Sequence, residues 1–250
     1  MLVDGKAGER LVFKRRTDVD ALDNLEGRRP RLRLVVDISG SMTRFNGLWK
    51  RDCLHSCGCA RELTAMPLAC AGLDGRMNRS LEAAMVMMEA LAGQEHRIDA
   101  SIVGHSGDSA SIPLVDWDRL PRNRSERLEV LQAMVTHSAY CWSGDHTVAG
   151  IAAGVKSVSD RAAEMGDEGG TSFVLALSDA NLRRYNIAPE SLGVALTSEP
   201  GVEAFVVLLG GLGNEAADVE ARVAEGRAVV CHDTEELPGL VAEFLRRALG

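Results

Sequence analysis

The chain lacks the features that mark several large classes of protein. It has no run of about 18 or more apolar residues, so no membrane-spanning helix is predicted. Its charged N-terminus has no apolar stretch of the kind found in signal peptides. No G-x-x-x-x-G-K-[ST] sequence is present, which excludes ATP hydrolysis by a P-loop within this chain. We therefore expect a soluble intracellular polypeptide that is not itself an ATPase.

The chain also lacks a net positive charge and a disulfide pattern. The net charge is −8 and the pI is near 5.3, so the chain has no overall basic field and nucleic acid is excluded as its main partner. Four of its six cysteines fall within one short segment, and the other two stand alone, unlike the disulfide framework of a secreted domain. This distribution favours a reducing compartment.

What the chain does have is an alternation of short apolar runs with segments of helical periodicity. The 250 residues, 46% of them hydrophobic, suit one α/β domain. The predicted strands are 31–38, 97–104, 171–179, 202–210 and 227–233, and the predicted helices are 74–91, 125–138, 145–165, 215–226 and 234–249. This order predicts a Rossmann-like, mostly parallel open sheet with helices on both faces, over residues 31–250. Residues 1–30 are expected to form an N-terminal arm.

One segment breaks the alternation. Residues 49–72 are rich in cysteine and arginine and lack any periodicity, and deleting residues 48–72 leaves a simple loop into the next helix. We expect an insertion here, either a lineage-specific loop or a retained intron. The spacing C-x-H-x-C-x-C, from Cys53 to Cys59, offers soft ligands for zinc but differs from the paired spacing of zinc fingers.

Polar residues with oxygen side chains cluster where predicted strands end. The first strand ends in D-x-S-x-S at Asp37, Ser39 and Ser41, and residues 177–181 follow the strongest strand. A third loop of this kind, residues 143–147, precedes a predicted helix. Ligands bind outside the carboxyl ends of parallel strands, and carboxylate and hydroxyl oxygens suit Mg²⁺. A metal site at this edge is predicted, with capping of the turns by the same side chains as the structural alternative.

Four motifs together carry a family resemblance. DISGSM, IVGHSGD, SGDHT and LSDANLRRY resemble, in this order, the von Willebrand factor A domains with a metal-ion-dependent adhesion site, and among them the A domain of large midasin-like AAA-type ATPases. The resemblance implies direct metal contacts from Ser39 and Ser41 and largely water-mediated contacts from Asp37 and Asp179. It further implies Mg²⁺ or another hard divalent cation, a protein partner or an AAA ring, and a location in mitochondria or peroxisomes. The cytosol is the alternative location.

The second loop departs from the common pattern of this family. Where many members have Gly-Gly-Thr, this chain has Ser143-Gly144-Asp145, so Asp145 takes the place of the threonine ligand, and Thr147 is the alternative. The expected ligand set is Asp37, Ser39, Ser41, Asp145 and Asp179. Three carboxylates exceed the charge of a divalent ion, which is expected to weaken capture of an acidic side chain from a partner.

Two other motifs suggest different functions. GHSGD, residues 104–108, approaches the nucleophile elbow of serine hydrolases, and Ser106, Asp179 and His232 follow the chain order of their triad. Against this, Asp108 replaces the last glycine and no helix follows directly. GGLGNEA, residues 210–216, resembles a dinucleotide-binding turn, but a simple strand-to-helix turn is favoured. The predicted function is thus a non-catalytic, Mg²⁺-dependent protein-interaction module, with serine hydrolase as the alternative.

Overall fold

The described part of the chain covers most of the predicted domain. A computed structural model describes residues 29–44, 76–141, 144–166, 170–179, 182, 186–209, 219, 222–223, 226–231 and 236–249. The insertion predicted at 49–72 and nearly all of the predicted arm lie outside these residues. So do His232, the glycine-rich turn at 210–216 and most of the helix predicted at 215–226.

Within the described residues, six strands form one sheet in the order β3-β2-β1-β4-β5-β6. The strands are β1 (Arg31–Asp37), β2 (Asp99–His105), β3 (Ile112–Val115), β4 (Ser172–Ser178), β5 (Glu203–Leu209) and β6 (Ala228–Cys231). All neighbouring strands are parallel except β2 and β3, which are antiparallel. The predicted α/β class with a mostly parallel sheet is confirmed.

Helices cover both faces of the sheet. They are α1 (Ser41–Arg44), α2 (Arg76–Leu91), α3 (Arg124–Tyr140), α4 (Thr147–Glu164), α5 (Glu190–Leu196) and α6 (Leu237–Leu249). Side chains of a strand alternate between its faces, so Leu34 and Val36 of β1 join one core with α2, α3 and α6, while Val35 joins the other with α4 and α5. None of the helices in the described ranges is long and apolar enough to cross a bilayer.

Three short elements of the described chain were not predicted from the sequence: the single-turn helix α1, strand β3 and helix α5. Strand β3 has four residues and contains Pro113, which is tolerated because β3 lies at the edge of the sheet, where a missing N–H costs no ladder bond. Helix α5 has seven residues, too few to show a helical period in the sequence. The antiparallel β3 is the one departure from a wholly parallel sheet among the described strands.

The strand order reverses between β1 and β4. Strand β2 lies on one side of β1, and β4 with the later strands lies on the other. In parallel α/β sheets the chain leaves such neighbouring strands in opposite directions, which opens a crevice at their carboxyl ends. Asp37 ends β1 and Ser178 ends β4, so both lie at this crevice.

Helix α4 packs closely on β1, and this contact depends on a glycine. A Cβ atom at Gly154 would lie 2.6 Å from Cγ2 of Val35. Gly154→Ala is therefore expected to lower the free energy of unfolding by about 1–3 kcal/mol, because α4 or Val35 must shift. Urea denaturation measures the change. The control is Gly239→Ala in α6, where nothing lies within 4 Å and alanine is the better helix former. Equal stability of Gly154→Ala and wild type would contradict this packing.

Candidate metal centre

Asp37 is held by hydrogen bonds to both of its carboxylate oxygens. The side chain is buried, with 2% of the residue exposed. The backbone N–H of Ser39 donates to Oδ1 at 2.8 Å, and the hydroxyl of Ser178 donates to Oδ2 at 3.1 Å. The loop after β1 and the end of β4 therefore fix this carboxylate from two sides.

The two serines of the D-x-S-x-S motif meet beside it. The hydroxyl oxygens of Ser39 and Ser41 lie 2.8 Å apart, although the residues are two positions apart in sequence. The loop turns at this point into the single-turn helix α1. Helix α3 supports the loop from behind, since the hydroxyl of Ser138 donates to the carbonyl oxygen of Ser39 at 2.8 Å.

Asp179 follows β4 and faces the same loop. The residue is 2% exposed, and it is hydrogen bonded to the hydroxyl of Ser41. Its Oδ2 accepts a hydrogen bond from the guanidinium of Arg76 at 3.0 Å, in an ion pair that is also buried. Arg76 is the first residue of α2, and no motif in the sequence pointed to it.

The third loop brings Asp145 and Thr147 to the cluster. Oδ1 of Asp145 accepts the backbone N–H of Thr147 at 2.6 Å, at the start of α4. The hydroxyls of Thr147 and Ser178 are 2.8 Å apart, so Thr147 is joined to the chain of hydrogen bonds that reaches Asp37. A Cβ atom at Gly144 would lie 2.7 Å from Cα of Gly107, so glycine at 144 lets this loop pass the loop after β2.

Burial, and then the charge of a neighbouring carboxylate, raise the pKa of Asp37 and of Asp179. Burial, and to a smaller degree the negative charge of Asp145, raise the pKa of Asp37 to about 6, against hydrogen bonds from Ser39 and Ser178. Burial and then the charge of Asp37 raise the pKa of Asp179 to about 7, against Ser41 and Arg76. The hydrogen bonds and Arg76 thus offset only part of the cost of charging two buried acids.

A buried histidine, not singled out from the sequence, lies next to these acids. His105 is the last residue of β2, pairs in register with Asp37 and is 1% exposed. Burial lowers its pKa to about 4, although Asp145 and Asp179 act in the opposite direction. Neither ring nitrogen is hydrogen bonded to any described residue. A Cβ atom at Gly150 would lie 3.0 Å from Cβ of His105, so α4 closes over this side chain.

The donor set fits a hard divalent cation. The predicted ligands offer carboxylate and hydroxyl oxygens, which such ions prefer, and no sulfur. Hydrogen bonds connect Asp37, Ser39, Ser41 and Asp179, and electrostatic interaction connects Asp145 to both other acids. The repulsion that raises the two pKa values is of the kind that a bound cation relieves.

The hydrolase alternative finds no support among the described residues. Ser106 is fully buried, and its Oγ lies 2.9 Å from Nε2 of His137, a histidine outside the predicted triad. Asp179 is engaged by Arg76, and His232 lies outside the described residues. Both the Cys53–Cys59 motif and the glycine-rich turn at 210–216 also lie outside them.

Known proteins resemble this chain in sequence and in fold. No protein-family model matches it. It is 37% identical over 244 residues to von Willebrand factor A domain-containing protein 8 of Mus musculus, a match that covers 97% of this chain and 11% of that protein. The chain therefore spans about a tenth of the length of this curated relative.

Two solved structures share the fold. The pilus adhesin SpaC of Lactobacillus rhamnosus GG has a TM-score of 0.56 at 11% identity, over 89% of this chain and 31% of that one. The D319A mutant of the PilB minor pilin from Streptococcus sanguinis has a TM-score of 0.51 at 12% identity, over 89% of this chain and 62% of that one. At such identities the likeness concerns the fold alone.

The raised pKa of the buried acids makes the stability of the metal-free protein depend on pH. A folded-state pKa of about 6 for Asp37, above its ordinary 3.8, means that the folded state holds more protons between these values. In chelator, the melting temperature is therefore expected to fall as the pH rises from about 5 to about 7.5. Asp37→Asn is expected to reduce this fall, because the amide oxygen still accepts the N–H of Ser39 and the amide nitrogen can donate to the hydroxyl of Ser178, without the charge.

The matched control for this measurement is Asp118→Asn. Asp118 is a 78% exposed acid that pairs with Arg161, away from the cluster. This variant is expected to keep the wild-type dependence on pH. A fall in Asp37→Asn as steep as that of wild type would contradict the electrostatic account.

Proposed function

We propose that this chain is a cation-dependent protein-interaction module. The chain has the von Willebrand factor A fold, and almost all of it resembles part of von Willebrand factor A domain-containing protein 8. The observation that carries the proposal is the meeting of oxygen side chains from three loops where the strand order reverses. The module is not itself a catalyst, and it binds through the face that these loops form.

The proposed ligands are the five residues of the sequence prediction. Ser39 and Ser41 bind the ion directly through their hydroxyl oxygens, and Asp37 and Asp179 hold it largely through water, as the family resemblance implies. Asp145 is the remaining ligand, because the hydroxyl of Thr147 is engaged with Ser178. Mg²⁺ is the proposed ion, since it accepts few protein carboxylates and retains water. When bound, it supplies positive charge that draws the three loops together and leaves a position for a partner oxygen.

Arg76 changes the charge balance expected from the sequence. Three carboxylates exceed the charge of a divalent cation by one, but the guanidinium of Arg76 lies 3.0 Å from Asp179 and adds one positive charge. The loaded centre is then neutral as a whole. An acidic side chain of a partner protein therefore meets no excess of negative charge, and it becomes the proposed partner ligand.

The proposed setting is a larger ATPase machine. The curated relative is far longer than this chain, and the family resemblance is to the A domain of midasin-like AAA-type ATPases. We propose that the face formed by the three loops binds the ATPase ring or a substrate protein of such a machine. Mitochondria are the location that the resemblance implies.

Mg²⁺ is expected to stabilise the chain through the two serine hydroxyls. Ligand binding to the folded state at about 100 times the Kd adds about 2.7 kcal/mol, which raises the melting temperature by several degrees. The double variant Ser39→Ala with Ser41→Ala is expected to show no rise. Thermal melts with Mg²⁺ and with chelator measure the difference.

The control is Ser172→Ala, which removes an equally buried hydroxyl at the amino end of β4. It is expected to keep the full Mg²⁺ response. The same proteins test the binding of a protein partner. Wild type and Ser172→Ala are expected to retain the partner in Mg²⁺. Binding is expected to be lost in chelator, and it is expected to be absent from the double variant. A Mg²⁺ response that survives in the double variant would contradict the ligand assignment.

Two substitutions separate ligand binding from helix capping at Asp145. The carboxylate accepts the N–H of Thr147 at the start of α4, and an amide oxygen can replace it in that bond. Asp145→Asn is therefore expected to keep the metal-free stability but to lower Mg²⁺ affinity by about tenfold or more, since it removes a charged ligand. Asp145→Ala is expected to lower both. Calorimetric titration measures the Mg²⁺ affinity, and thermal melts in chelator measure the metal-free stability. Unchanged affinity in Asp145→Asn would exclude Asp145 as a ligand.

A further inference from the structure

A second group of metal-binding side chains lies behind the loop that carries Ser39. The Sγ of Cys141, an imidazole nitrogen of His137 and a carboxylate oxygen of Asp108 all lie within 4.8 Å of one another. None of the three belongs to the proposed cation centre, and their donors are sulfur, nitrogen and oxygen rather than oxygen alone.

The end of α3 presents two of these donors on one side. His137 and Cys141 are four residues apart, so one helical turn places their side chains on the same face. The backbone N–H of Cys141 donates to the carbonyl oxygen of His137 at 2.8 Å and fixes this last turn. Cys141 is buried and forms no disulfide with Cys231, the other cysteine of the described ranges.

Asp108 comes to the same place from the loop between β2 and β3. This loop is held by two hydrogen bonds, from the N–H of Ser106 to the carbonyl oxygen of Ser109 at 2.9 Å and from the N–H of Asp108 to Oγ of Ser106 at 3.1 Å. Oδ2 of Asp108 lies 4.0 Å from Nε2 of His137, and both side chains are partly exposed, at 35% and 26%. An ion can therefore enter from solvent on this side.

The donors and their spacing suit zinc. Zn²⁺ binds thiolate, imidazole and carboxylate at about 2.0–2.3 Å in a tetrahedral array, which puts neighbouring ligand atoms roughly 3.3–3.8 Å apart. The three donors, all within 4.8 Å of one another, need to close by at most about 1.5 Å. The partly exposed side chains of Asp108 and His137 can make this movement by changes of side-chain angle.

We propose that Asp108, His137 and Cys141 form a zinc site that joins the end of α3 to the loop after β2. On binding, the thiol of Cys141 releases its proton to water and gives up its hydrogen bond to the carbonyl oxygen of Ile38 as the thiolate coordinates the metal, and His137 gives up its hydrogen bond with Ser106. Three protein ligands leave the fourth position to water. The site is separate from the oxygen-lined cation centre and does not depend on that proposal.

The zinc site adjoins the cation loop through two contacts. The Sγ of Cys141 lies 3.8 Å from the carbonyl oxygen of Ile38, and the neighbouring Ser138 holds the carbonyl of Ser39. Zinc therefore fixes the end of α3 directly behind the loop that supplies Ser39 and Ser41.

Cobalt spectroscopy tests the site in the full chain. The background protein has Ser in place of four insertion cysteines that also offer thiolates: Cys53, Cys57, Cys59 and Cys70. Excess Mg²⁺ is present to occupy the oxygen-lined centre. Titration with Co²⁺ is expected to give one equivalent of a tetrahedral complex with a near-ultraviolet thiolate-to-cobalt band, which Zn²⁺ abolishes by displacement.

Matched variants in this background identify the ligands. Cys141→Ser is expected to remove the band, and Cys231→Ser, at the other buried cysteine, to keep it. Asp108→Asn and His137→Gln, at partly exposed side chains, are expected to weaken Co²⁺ and Zn²⁺ binding by about tenfold or more. Circular dichroism checks folding. Absence of the band in the background protein, its persistence in Cys141→Ser, or unchanged affinity in both other variants would overturn the proposal.

Discussion

Three carboxylates lie together at the carboxyl ends of β1 and β4, and the cost of keeping them charged there governs the whole centre. Burial and mutual repulsion raise the pKa of Asp37 and Asp179 to about 6 and about 7. Serine hydroxyls, a backbone N–H and the guanidinium of Arg76 all contact these carboxylates. These contacts order the loops, but they do not cancel the charge, and a divalent cation would complete the compensation.

The close packing of α4 on the sheet allows the three carboxylates to lie near one another. Gly154 lets α4 approach Val35 of β1, and Gly150 lets the same helix close over His105. Because α4 starts at Thr147, this close packing also brings Asp145 to the edge of the sheet. The small residues of α4, which have no chemistry of their own, are therefore as necessary to the centre as the acids.

Two different donor chemistries lie on the two sides of one loop. The oxygen-lined centre suits a hard ion, whereas the thiol, imidazole and carboxylate at the end of α3 suit zinc. Ser138 connects the two sites. It follows His137 in α3, and its hydroxyl donates to the carbonyl oxygen of Ser39. Rigidity at the end of α3 and the geometry of the cation loop are thus physically linked.

Local patterns along the chain were enough to predict the α/β class and to place Asp37, Ser39, Ser41 and Asp179 at strand ends, because apolar periodicity is a local property and parallel strands end at one edge. These patterns did not reveal α1, β3 and α5, which are too short for a period. The ion pair between Arg76 and an acid 103 positions away is visible only in the folded chain. The same holds for His105 and for the cluster at the end of α3, since partners distant in sequence leave no pattern along the chain and meet only when strand order and helix packing bring them together.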